Sequence, residues 1–192
     1  APNDALKATH FAGAFSTDGR RLHIVSDRAS EFREAMNLDL ASGALTRITG
    51  HIPWDVGSSA ASDDGRWFVA QGNADGRDEL RLFDATTSKE LGAPKTPAGS
   101  IGANMQFHRT TQQLAYSLNG AKGPNELFVL DPPSGRSVQW TRAEAPAGID
   151  TSTFAEQTIV RWKSFDGLTI SGLLTSPPKK FSGKRPVIVS IH

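Results

Sequence analysis

The chain repeats itself with a period of about 46 residues. A period of that length commits it to an array of copies of one supersecondary unit. The first copy contains FSTDGRRLHIVSD (Phe15–Asp27) and then MNLDLASGALTRIT (Met36–Thr49). The second contains ASDDGRWFVAQG (Ala61–Gly72) and then ELRLFDATTSKEL (Glu79–Leu91). The third contains FHRTTQQLAYS (Phe107–Ser117) and then NELFVLDPPSGRSVQW (Asn125–Trp140). Asp18, Asp64 and Thr110 hold one marker position, and Asp39, Asp84 and Asp131 hold another. Both markers keep the same period, although the third copy has lost its Asp-Gly. Within the first copy FAGAFS, RLHIVS, AMNLDL and ALTRIT read as four strands. Leu38 and Leu40 alternate with Asn37 and Asp39, as a half-buried antiparallel strand requires. Asp18-Gly19, Asp64-Gly65, Ser42-Gly43 and Ser134-Gly135 supply turn chemistry. Four strands in about 46 residues fit a propeller blade, so the expectation is a partial β-propeller of about three four-stranded blades. Three blades leave a ring open, and its edges expose unpaired backbone groups. No fourth copy follows. The small, polar stretch Ala143–Thr153, with Pro146 and Gly148, marks the boundary between residues 1–150 and 151–192.

Residues 151–192 follow another pattern. TIVRWKSF (Thr158–Phe165) and LTISGLLTS flank Asp166-Gly167, the pair suited to a type I′ hairpin turn with both central residues at positive φ. Pro177 and Pro178 end the second strand. A basic connector leads to Pro186 and VIVSI, an uninterrupted β-branched run that predicts a strand covered on both faces. His192 follows it.

The succession from Trp162 to His192 (tryptophan, Asp-Gly turn, I-x-G-x-L, prolines, basic connector, apolar strand, histidine) resembles the start of the catalytic domain in the prolyl oligopeptidase family of serine peptidases. The likeness is greatest to its acylaminoacyl-peptidase and dipeptidyl-peptidase-like branches. The blade motifs are also similar to those of that family's propeller and of TolB-like propellers. The resemblance implies a mostly β chain. Residues 1–150 would be the last blades of a propeller, and 151–192 the first strands of an α/β-hydrolase domain. It implies acyl transfer by a Ser-His-Asp triad on short peptides, with the propeller gating access. It places the triad beyond residue 192 and makes His192 the first residue of the oxyanion-hole loop. The chain by itself is then expected to be inactive. The alternative is a non-catalytic propeller that binds a protein or glycan partner, and a parent esterase has the same architecture.

Other chemistry finds little footing. A nucleophile elbow needs G-x-S-x-G, and Gly57-Ser58-Ser59-Ala60-Ala61 lacks the second glycine. His10 and His51 read as loop residues, His23 lies in a strand and His108 at a blade turn, with no metal-ligand spacing among them. Asn73-x-Asp75-Gly76 has the start of a calcium loop without its remaining ligands and reads as an inter-strand turn. Trp54, Trp67, Trp140 and Trp162 read as packing residues, and Arg28, Glu31, Arg33 and Glu34 as a solvated charged loop. A net charge of +1 excludes a nucleic-acid footprint, and Lys179, Lys180, Lys184 and Arg185 read as connector. The absence of cysteine removes thiolate and disulfide chemistry. No apolar run is long enough to predict a membrane span. No cofactor is expected. The start, APNDALKATHFAG, shows no signal pattern and reads as a cut inside a longer protein. Compartment stays open, as does a homo-oligomer of the full-length protein.

Overall fold

The computed structural model describes residues 7–155, 157–178 and 181–191. Each repeat forms one antiparallel sheet whose strands pair in chain order. The first holds β1 (His10–Phe15), β2 (Arg21–Ser26), β3 (Glu34–Asp39) and β4 (Leu45–Arg47). The second holds β5 (Val56–Ala61), β6 (Trp67–Ala74), β7 (Arg77–Asp84) and β8 (Glu90–Gly92). In the third, the inner strand is broken into β9 (Ser100–Ile101) and β10 (Gln106–Phe107). Both pair with β11 (Leu114–Asn119), which is followed by β12 (Glu126–Asp131) and β13 (Arg136–Gln139). A single 3-10 turn, Thr151–Thr153, capped by the Asp150 carboxylate, precedes a separate hairpin of β14 (Gln157–Lys163) and β15 (Thr169–Thr175).

The repeat is visible in the turns. The N–H of Ser16, Ser62 and His108 donates to the carbonyl of Arg21, Trp67 and Gln113 respectively, at 2.8–2.9 Å. In the first two turns Gly19 (φ 65°) and Gly65 (φ 70°) take the left-handed position that a Cβ disfavours. The third turn has neither aspartate nor glycine. There His108 Nδ1 accepts from the N–H groups of Thr110 and Thr111, at 3.3 and 3.2 Å. Gln112 takes the left-handed conformation one position later (φ 58°). Its replacement by glycine is expected to stabilise the chain by about 1 kcal/mol, because the left-handed penalty disappears. A urea midpoint for Gln112→Gly at or below that of the native chain contradicts this. On the second marker, Asp39 Oδ1 accepts from the N–H of Ala41 and Ser42, and Asp84 Oδ1 from that of Thr86 and Thr87. Such local bonds close the turn and explain why aspartate recurs there.

The blades stack through their faces. Val25, Ala35 and Ile48 of the first pack against Val56, Phe68, Ala70 and Phe83 of the second. Val69, Leu80 and Leu82, on the other face of the second blade, pack against Ile101, Leu114, Tyr116, Phe128 and Leu130 of the third. Alternation along each strand gives every blade two apolar faces, one for each neighbour. On the outer face of the third blade Leu127 and Trp140 are exposed, Trp140 to 70%.

Four expectations are corrected. VIVSI forms no strand, and Val187, Ile188 and Ile191 are almost fully exposed. A covered parallel strand needs neighbours on both sides, and none of the described strands lies beside it. Asp166-Gly167 is not a type I′ turn, since only Gly167 has positive φ (87°). The Gly167 N–H donates to the Ser164 carbonyl, closing a longer loop with a single left-handed glycine. His10 opens β1 rather than sitting in a loop. Trp140 is largely exposed rather than packed, and Trp162 is half exposed. The Trp162 ring nevertheless has a role. It lies over Gly172, where an added Cβ would come within 2.9 Å of it, so the glycine of I-x-G-x-L makes room for the indole.

Candidate functional site

Antiparallel order places the β2–β3, β6–β7 and β11–β12 turns at one end of the three sheets, together with the blade crossovers 48–55 and 93–99. Charge pairs run from this end along the strands of the first two blades. Arg33 is bonded through both its backbone N–H (2.8 Å) and its guanidinium (3.1 Å) to Asp55 of the first crossover. His51 meets Glu90 at 2.5 Å, and Arg81 joins Glu90 and Glu79 at 3.1 and 3.0 Å. Burial alone would raise the Glu90 pKa. The hydrogen bonds from His51 and Arg81 reverse this and hold it below the ordinary carboxylate range.

Glu34 departs from the solvated loop expected around it. It opens β3 with only 2% of its surface exposed. Arg47 grips it with Nε to Oε2 and Nη2 to Oε1, both at 2.6 Å, and the Ser30 hydroxyl donates to Oε1. Burial opposes ionisation here, but the two bonds from Arg47 and the one from Ser30 prevail and lower the pKa. Glu31 remains exposed. The partner of Glu34 lies on β4, across the β3–β4 hairpin. Counting the hairpin register is the one sequence signal that reaches it.

A groove of about 590 Å³ opens between the β11–β12 turn and the following linker, lined among others by Gly120, Lys122, Glu126, Gln139, Arg142 and Thr151. Glu126 accepts from the Thr141 hydroxyl (2.5 Å) and the Ala143 N–H (2.6 Å), which anchors the start of the linker on the third blade. Those bonds, Thr141 first, keep its carboxyl below the ordinary range.

The residues considered for catalysis do not come together. Ser58 and Ser59 lie in β5, and the Ser58 hydroxyl donates to Gln71 Oε1 at 3.1 Å. His51 bonds Glu90, and His108 Nδ1 serves its own turn. His23 is buried against Phe68, ring centroids 4.8 Å apart, and burial pushes its pKa down. Among the described residues no group of three His, Asp or Glu side chains is placed to hold a metal ion, and no helix is long and apolar enough to cross a membrane. Asn73-x-Asp75-Gly76 is a turn: the Gly76 N–H donates to Asn73 Oδ1 at 2.9 Å. His192, Lys179 and Lys180 lie outside the described residues. Among the described residues, the charges at this end are paired with one another and no nucleophile meets a base.

No protein-family model and no curated protein matches the sequence. Solved structures do match. A prolyl endopeptidase overlays on 88% of this chain with a TM-score of 0.69 at 16% identity. Prolyl oligopeptidase B from Galerina marginata covers the same share with a TM-score of 0.70 at 16% identity. A puromycin hydrolase covers 91% with a TM-score of 0.72 at 18% identity. The chain spans about a quarter of the length of these proteins, 24%, 24% and 27% respectively. At such identity the likeness is one of fold, that of the β-propeller region of prolyl oligopeptidases.

Proposed function

We propose that these residues belong to a serine peptidase of the prolyl oligopeptidase family. Residues 1–150 supply propeller blades, and 151–192 the first strands of its α/β-hydrolase domain. The blades and the β14–β15 hairpin together support this reading. The likeness in fold to prolyl oligopeptidases and puromycin hydrolase extends over 88–91% of the chain. A plain propeller accounts for the blades but leaves the W-x-S-x-D-G-x-x-I-x-G-x-L hairpin without a reason. In this reading a serine beyond residue 192 attacks a peptide carbonyl. A histidine serves as base and then acid, an aspartate orients it, and the loop opened by His192 helps hold the oxyanion. The blades contribute a wall that admits short peptides and excludes folded proteins.

The second reading is a binding propeller for a protein or glycan partner, which the blades by themselves fit equally well. The coding region downstream of His192 separates the two. Gly-Gly-Pro next, then G-x-S-x-G, then Asp and His, is the expected result. The full-length protein should then react with a fluorophosphonate probe and cleave fluorogenic short peptides. A continuation without the nucleophile elbow removes the enzyme reading.

A further inference from the structure

The β6–β7 connection is a two-residue turn in which Asp75 (φ 53°) and Gly76 (φ 87°) both have positive φ, closing the Ala74–Arg77 pair. This is type I′ geometry, the tightest way to join two twisted strands. The turn is braced from behind. Asn73 Oδ1 accepts from the Gly76 N–H (2.9 Å), and Asn73 Nδ2 donates to Asp78 Oδ1 (2.9 Å). Asp78 Oδ2 accepts in turn from the N–H of Ile101 in the third blade (2.7 Å). The turn thus projects rigidly from two blades.

What it projects onto is the β14–β15 hairpin. The Asp75 carboxylate accepts from Arg161 Nη2 through Oδ2 and from the Ser171 hydroxyl through Oδ1. Arg161 and Ser171 are directly opposite each other in the hairpin register. Gly76 faces Ile159 and Leu173, to which an added Cβ would stand at 3.8–3.9 Å. Ile159 and Leu173 are also a directly opposed pair, two residues along the same strands and so on the same face. Each residue of the turn therefore has its own cross-strand pair on one face of the hairpin, one polar and one apolar. The bonds from Ser171 and Arg161 hold the Asp75 carboxyl below the ordinary carboxylate range. Residues 142–150, which connect the third blade to the hairpin, are exposed throughout.

We propose that the Asp75-Gly76 turn is an ionic latch that holds the β14–β15 hairpin against the blades, with residues 144–150 as the hinge that it keeps closed. The turn sets the angle between the hairpin and the blades, and loss or screening of the Asp75 charge frees the hairpin to swing. Solvent reaches the Asp75–Arg161 pair, so the hold is modest and depends on salt.

The test is amide hydrogen exchange on the 192-residue chain, and it requires no substrate. A failed latch leaves the peptidase reading untouched. Asp75→Asn keeps a residue tolerant of positive φ and removes the charge. It is expected to speed exchange in β14–β15 about fivefold, the equivalent of one exposed charge pair, and to leave β6–β7 unchanged. Arg161→Gln should do the same, and the double variant should add little, because both remove one interaction. Molar salt should reproduce the effect in the native chain alone. Unchanged hairpin rates in Asp75→Asn overturn the latch. So does an equal acceleration across hairpin and blades, or a hairpin that already exchanges at the free-peptide rate in the native chain.

Discussion

Replacing Phe68 with alanine is expected to lower the unfolding free energy by about 3–5 kcal/mol. Phe68 is 1% exposed and sits where the first and second blades meet. Its ring lies 6.1 Å from that of Phe83 and 4.8 Å from that of His23. Truncation removes the transfer free energy of the ring and leaves a cavity between two sheets, whose backbones cannot collapse into it without breaking their ladders. For a chain of ordinary marginal stability this is a large share of the total. With a urea slope of about 2 kcal/mol/M, the midpoint should fall by roughly 1.5–2.5 M. Trp140→Ala is the control. That indole is 70% exposed, and its removal should move the midpoint little. Equal shifts in the two variants would mean that the blades are not held together through this interface.

Arg47→Leu is expected to destabilise far more than its place on the surface suggests. Its guanidinium is about half exposed, but the carboxylate it holds is not. Without Arg47 the Glu34 side chain is a buried charge with one hydroxyl partner. Stranding a buried carboxylate in this way costs on the order of 3 kcal/mol. The double variant Glu34→Leu, Arg47→Leu should recover much of the loss, since it removes both the charge and the need to neutralise it.

The pH dependence follows from the direction of the Glu34 shift. Its folded pKa lies below the ordinary value of 4.5. In the native chain the Glu34 contribution to stability is therefore fully present above about pH 4.5 and is lost as the pH falls through the folded pKa. In Arg47→Leu burial is opposed only by Ser30 and should push that pKa above its unfolded value. Acidification then protonates Glu34 and relieves the strain. The gap between the native chain and the variant should narrow below pH 4.5, and urea titrations at pH 7 and pH 4 read it directly. A gap that widens in acid would refute the assignment.

Much of the blade architecture can be read in the residues themselves, because its determinants are local. Asp39 and Asp84 bond N–H groups two and three residues ahead, and Gly19 and Gly65 take backbone conformations that a Cβ penalises. A turn chosen by such short-range chemistry recurs wherever its residues recur, so the period reveals the sheets. The third copy shows the limit of this rule. His108 and Gln112 rebuild the turn with different atoms, and only the neighbouring markers reveal the equivalence.

Two Asp-Gly pairs sharpen the point. The pair at 166–167 has the sequence of a type I′ turn but forms a longer loop, whereas the pair at 75–76 has that geometry. Which Asp-Gly tightens depends on where the cross-strand register falls, and register is settled by the faces that must be buried. The same holds for VIVSI. Its composition suits a covered strand, but a strand exists only where neighbours accept its hydrogen bonds.

The amino-acid order alone thus sets the period, the blade strands and most of the turns, because each depends on residues close together in the chain. The pairings of Arg33 with Asp55, and of Asp75 with Arg161 and Ser171, are decided only in three dimensions. Their partners stand 22, 86 and 96 residues apart. At such separations contact is set by how sheets stack and by which charges are denied water, and no local pattern in the sequence encodes either.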